Sequence, residues 1–145
     1  MTVLMHTYTS SKNRLTFDKH EVAEENTVLF RIDINSDNIS EYLDFESGNI
    51  PQTCPVARYL ASHITEDYKV FVRCSVIVLE KTDETTKIVY VLKSPSDVLE
   101  WIREFDAAYC DAQLPKKYIK ILMRNLTVKI RLPKIVLRST EELDI

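Results

Sequence analysis

"YKVFVRCSVIVLEKTDETTKIVYVLK", residues 68–93, decides what kind of fold this chain can adopt. Valine, isoleucine and aromatic residues crowd it, and such side chains pack better on a pleated sheet than on a helix. Within it, Val70, Val72, Cys74, Val76 and Val78 fall on one face of a long strand expected from about Tyr68 to Glu80. Phe71, Ile77 and Leu79 make the opposite face apolar too, so this strand is expected to be covered on both sides. Polar residues Thr82–Thr85 reverse the chain, and Thr86–Leu92 return as the second strand of a hairpin.

Strand character extends toward both ends of the chain. Residues 3–9 alternate, with Leu4, His6 and Tyr8 opposite Val3, Met5 and Thr7, and residues 14–22 fit a further strand. In TVLFRIDIN, residues 27–35, Val28, Phe30, Ile32 and Ile34 share one face while Leu29, Arg31 and Asp33 share the other. On the carboxyl side, Ile119, Ile121 and Met123 alternate from Tyr118 onward, followed by Leu126, Val128, Ile130 and Leu132. The parity switches at Arg124-Asn125, which predicts a bulge or a tight turn there, and Pro133 suits a strand end.

Two segments break this rhythm. Val56, Tyr59, Leu60, His63 and Ile64 recur at helical spacing, giving an amphipathic helix over about 54–65. Val98, Trp101, Ile102, Phe105 and Tyr109 do the same over about 97–110, with Ser94 or Ser96 as the expected cap. The acidic stretch 36–52 is expected to be a loop with one helical turn around Tyr42–Phe45. Strands outnumber helices and the links are short, so the expected class is α+β. A mainly antiparallel sheet or small barrel of about six or seven strands carries two helices, in a single domain over residues 1–145.

Composition narrows the function. The chain has one glycine, Gly48. Phosphate-cradling loops need glycine where the backbone approaches the ligand, so neither a P-loop nor a dinucleotide fingerprint can be drawn, and no nucleotide cofactor is expected. Cys54, Cys74 and Cys110 are widely spaced, with no Cys-x-x-Cys and no clustered His6, His20 or His63, so spacing signals no metal. No run approaches the length of a membrane span, and the amino terminus lacks the pattern of a signal peptide. An intracellular, reducing location is expected.

Cys54 stands directly before Pro55, which favours the first helical position and places Cys54 at the N-cap, where the helix dipole promotes a thiolate. Thr53-Cys54-Pro55 resembles the reactive centre of peroxiredoxins over those residues alone; the strand–helix alternation of that fold is absent. A thiol enzyme needs a base within about 3 Å, and His63 lies nine residues along the same helix, about 13 Å away at 1.5 Å per residue. Cys54 is therefore expected to be a helix-start residue, with thiol-dependent catalysis the weaker alternative. The run 93–117, KSPSDVLEWIREFDAAYCDAQLPKK, loosely resembles the middle of phosphoinositide-binding PX domains. It lacks that family's Arg-Tyr pair before the helix, and strands rather than helices are expected after it, so nothing of the family carries over.

Charge is unevenly placed. Residues 1–50 carry four Lys/Arg against nine Asp/Glu, whereas residues 113–140 carry eight basic residues and no acid. On an alternating strand, Lys120 and Arg124 lie opposite Ile119, Ile121 and Met123, and Lys129 and Arg131 lie opposite Val128 and Ile130. Tyr118, Lys120, Arg124, Lys129 and Arg131 are thus expected on one wet face, suited to an anionic partner. The expected function is a non-enzymatic protein-interaction or assembly module, with an acidic protein surface or a second copy as partner and no catalytic residues or cofactor. The alternative is a nucleic-acid binder of the oligonucleotide-binding type using the same strip.

Overall fold

The computed structural model describes residues 2–43, 54–73, 75–111, 118–119 and 122–138. In chain order its strands are β1 (Val3–Ser11), β2 (Arg14–Glu21), β3 (Thr27–Ile34), β4 (Lys69–Val72), β5 (Val76–Thr82), β6 (Thr86–Lys93) and β7 (Leu126–Pro133). The helices are α1 (Pro55–His63) and α2 (Ser96–Asp106). Five strands form one antiparallel sheet in the order β2-β1-β6-β5-β4, and β3 pairs with β7 as a separate antiparallel ribbon. The class is α+β as expected, but the five-stranded sheet is open, with edges at β2 and β4, so the barrel alternative is not the form adopted.

The core follows from side-chain alternation. The buried residues of the large sheet all share one face: Val3, Tyr90 and Leu92, then Ile77 and Leu79, then Val70 and Val72, each set aligned with the next across the strands. One apolar cluster joins this face to Ile32 and Ile34 of β3, Ile130 and Leu132 of β7, Leu60 of α1 and Trp101 of α2. Trp101 is fully buried, stacks on Phe105 with ring centroids 5.8 Å apart, and donates its indole N–H to the Arg124 carbonyl at 2.8 Å. That bond satisfies the one polar atom of the side chain and fastens α2 to the entry of β7.

Two expected elements are different. The long strand 68–80 is a hairpin of β4 and β5, reversed at Arg73–Ser75, where the Arg73 N–H donates to the Val76 carbonyl at 2.9 Å. The reversal swaps parity: Ile77 and Leu79 join Val70 and Val72 inside, while Val76 and Val78 join Phe71 outside. Exposed Arg73 and Ser75 sit at the corner because a tight reversal leaves polar groups in water. Cys74, expected to point inward, lies outside the described residues.

The strand expected over 118–123 is helical where it is described. Tyr118, Ile119 and Leu122 have helical backbone, and the Met123 N–H donates to the Ile119 carbonyl, four residues back, at 3.0 Å. Ile119 and Met123 are buried while Tyr118 and Leu122 are exposed, which is helical rather than strand spacing. A short apolar run such as YIKILM satisfies both periods. Arg124-Asn125 is accordingly where helix gives way to β7, not a bulge or turn between strands.

Elsewhere the boundaries move little. α1 begins at Pro55 with Cys54 as N-cap, as expected. α2 begins at Ser96 with Pro95 in the N-cap position and no side-chain cap, so neither Ser94 nor Ser96 caps it. Beyond Asp106 the chain widens into a π-turn over Ala107–Asp111. Of the turn expected around Tyr42–Phe45, Ile39–Tyr42 form a 3-10 turn, and residues 44–53 lie outside the description.

Candidate functional site

Among the described residues, those singled out by the sequence sit on different elements rather than along one pair of strands. Lys129 and Arg131 lie on the wet face of β7, opposite Val128, Ile130 and Leu132 as expected, and Lys129 stands directly across from Arg31 of β3. Arg131 is largely covered: it donates to the Thr27 hydroxyl at 3.0 Å and lies 3.7 Å from Glu24. Arg124 precedes the strand and is held by α2, its Nε donating to Glu104 at 2.8 Å, with Glu100 at 3.7 Å. The hydrogen bond to Glu104 is the main cause that raises the Arg124 pKa further. Tyr118 sits on the helical turn, 45% exposed, not on a strand beside the cations. Lys120 lies outside the described residues. A common face requires a strand through Lys120 and Arg124, and the helical backbone at Tyr118, Ile119 and Leu122 removes that premise.

Cys54 is 4% exposed at the N-cap of α1. Burial pushes its thiol pKa up, and the opposing pull of the Val56 and Ala57 N–H groups does not overcome it. The side chain therefore carries its proton at neutral pH. His63 packs between Phe30 and Tyr59, with ring centroids 5.3 and 4.8 Å away. Exposed His20 lies 3.8 Å from Asp18, and His6 meets the ring of Phe17 edge-on at 5.8 Å. Among the described residues no group of three His, Cys, Asp or Glu could hold a metal, and no helix is long and apolar enough to cross a membrane. An open groove of about 450 Å³ runs between the base of β1–β2 and the turn after β7, lined by His20, Glu21, Tyr90, Lys134 and Ile135 among others. Its lining includes no serine, threonine or cysteine.

The most unusual surface is one the sequence revealed only in part: the outer face of the five-stranded sheet. Registers place Leu4, Val91 and Val78 in one cross-strand row, continued by Phe71 of β4. The next row holds His6, Val89 and Glu80, and Tyr8 pairs with Phe17 at a centroid distance of 5.0 Å. These β1, β4, β5 and β6 side chains are half-buried by their neighbours and belong to no part of the core cluster. An antiparallel sheet with one solvated face normally turns polar residues outward; here valine, leucine and aromatic residues share that face with charged ones, among them Glu80 and Lys87, which pair at 3.2 Å. At the β2 edge the apolar surface opens fully, with Leu15 73% and Phe17 56% exposed. The signal available in the sequence was the doubly apolar strand of residues 68–80; which of its faces stays outside depended on the turn at Arg73–Ser75.

The chain was compared with protein-family models, with curated proteins and with solved structures, and none of the three gave a match.

Proposed function

We propose that this chain is a non-enzymatic interaction module that binds protein through the outer face of its five-stranded sheet. The observation that carries the proposal is the second apolar face: Leu4, Tyr8, Phe71, Val78, Val89 and Val91 lie outside the core, continuous with exposed Phe17 at the edge. Apolar surface left in contiguous array on a folded chain is the usual mark of a protein contact. Arg124 and Arg131, already engaged by Glu104 and Glu24, are the weaker candidates for contact with an acidic partner. The test is affinity capture from cells that express the protein, with nuclease treatment, comparing the natural chain with Val89→Lys. Partners held by the natural chain and released by the variant, with circular dichroism unchanged, support the proposal. Partners that survive the substitution contradict it.

One observation favours nucleic acid as a second reading: Arg31, Lys129 and Arg131 share the wet face of the β3–β7 ribbon. Fluorescence anisotropy with single- and double-stranded oligonucleotides at low salt separates the two. Binding that falls steeply with salt and is lost on Lys129→Glu with Arg131→Glu replaces the protein reading. The proposal predicts no such binding.

A further inference from the structure

The β2 edge has a chemistry that fits one occupant in particular. Every residue of β2 is exposed, and among the described residues the strand pairs on one side only, with β1. The Val22 N–H donates to the Val3 carbonyl at 2.8 Å, just beyond the end of β2. Hydrogen-bonded and non-hydrogen-bonded pairs alternate along an antiparallel ladder. It follows that the even-numbered residues of β2 bond β1, while the N–H and C=O groups of Leu15, Phe17, Lys19 and Glu21 point away from the sheet. Those same residues carry the side chains of the apolar outer face, since Phe17 lies across from Tyr8 and Leu15 across from Ser10.

We infer that this edge pairs with β2 of a second copy, antiparallel, about a two-fold axis at Phe17. The inference rests on the reading of the outer face as a protein contact and names the partner. A two-fold axis normal to the sheet keeps each face on its own side, so only residues of like parity can meet, and the outward-pointing odd residues satisfy that condition. With Phe17 on the axis, residues 14–20 of each strand are paired. Phe17 then meets the partner's Phe17, Leu15 lies along the aliphatic stem of the partner's Lys19, and Arg14 faces the partner's His20 with the partner's Asp18 on the diagonal. No like charges stand directly opposite. Charge along β2 suits this antiparallel arrangement, because Lys12 and Arg14 at its start meet the half that holds Asp18 and Glu21. Sliding one step toward the carboxyl end sets Asp18 against the partner's Asp18 and Leu15 against the partner's Glu21. Sliding the other way shortens the ladder to residues 14–18. The pairing joins two five-stranded sheets edge to edge and makes their apolar outer faces continuous.

The device that normally prevents such pairing is weak here. Edge strands are kept single by proline, bulges or charge; β2 has no proline and pairs without interruption from Arg14 to Glu21, and its charges, Arg14, Asp18 and Lys19, each face an unlike or uncharged residue in this register.

The test is sedimentation velocity of the full chain over a concentration series, with three variants. The natural chain is expected to show a reversible monomer–dimer equilibrium. Lys19→Pro removes an outward N–H and leaves the β1 ladder intact, so it is expected to sediment as a monomer with unchanged circular dichroism. Leu15→Lys sets a cation against the partner's Lys19, and Leu15→Glu sets an anion there. Each dimer holds this contact twice, so the dissociation constant of the lysine variant is expected to exceed that of the glutamate variant by about tenfold or more. A merely hydrophobic contact would weaken equally in both. Equal behaviour of the two charge variants, or a natural chain that is monomeric at every concentration, overturns the inference. A monomer removes the second copy as occupant while the capture experiment with Val89→Lys still decides the wider reading.

Discussion

At Cys54 two effects oppose each other. The first N–H groups of α1 favour a thiolate, and burial among apolar side chains disfavours it more strongly. Iodoacetamide at neutral pH is therefore expected to leave Cys54 unlabelled in the native protein and to reach it only after denaturation, read by peptide mapping; rapid native labelling would contradict this. The sequence showed the N-cap position through Pro55 but not the burial, which comes from elements distant in the chain. Tyr68 is shifted in the same direction for the same leading reason: burial, aided by its hydrogen bond to Tyr90, pushes its pKa up to about 12. A group whose folded pKa is raised stabilises the fold below its ordinary pKa and loses that contribution as pH rises through the folded value. Stability is thus expected to be insensitive to this group below about pH 10 and to fall between there and about 12. Tyr68→Phe should flatten that alkaline limb in denaturant titrations. A limb identical to that of the natural chain would remove Tyr68 from the account.

Among the elements, the β1–β2 hairpin turns on Lys12 and Asn13, with φ of 50° and 62°. Asparagine tolerates the left-handed region, whereas lysine pays about 1 kcal/mol or more for it. A two-residue turn of this hand favours Asn-Gly, yet the chain's one glycine is at residue 48. Lys12→Asn with Asn13→Gly is expected to raise stability by about 1 kcal/mol in urea denaturation; an unchanged or lower midpoint would contradict it. α2 depends on Trp101. Trp101→Phe keeps a ring but leaves the Arg124 carbonyl without its donor, expected to cost about 1–3 kcal/mol, against about 3–5 for Trp101→Ala. A Trp101→Phe loss near zero would show that the indole N–H contributes nothing, and equal losses would show that the ring Phe retains contributes nothing. Strands with one buried face, such as Thr27–Ile34 and Leu126–Pro133, were legible because alternation is unambiguous there. Where both faces are apolar, as over residues 68–80, or where the run is short, as at Tyr118–Met123, the pattern fitted two structures and tertiary packing chose between them. The expected number of strands was nevertheless met, because one long strand became two and one expected strand became a helical turn.

For the whole molecule, the class was readable and the proposed contact surface was not. Alternation and short links imply an antiparallel sheet, whereas the outer face arises from cross-strand neighbours far apart in sequence, such as Leu4 beside Val91 and Val91 beside Val78. The same distance hides charge pairing: the basic run after residue 113 is plain in the composition, but Glu24, Glu100 and Glu104, which engage Arg131 and Arg124, are brought in by the fold. With that run partly neutralised from within, the proposal places association at the β2 edge, which pairs on one side only among the described residues. Amide hydrogen exchange, read residue by residue by NMR at rising protein concentration, tests this most directly. The outward amides of Leu15, Phe17 and Lys19 should gain protection as concentration increases, while those of Thr16 and Asp18, already bonded to β1, stay constant. If the outward amides exchange at one unprotected rate at every concentration, this edge does not pair and the account fails.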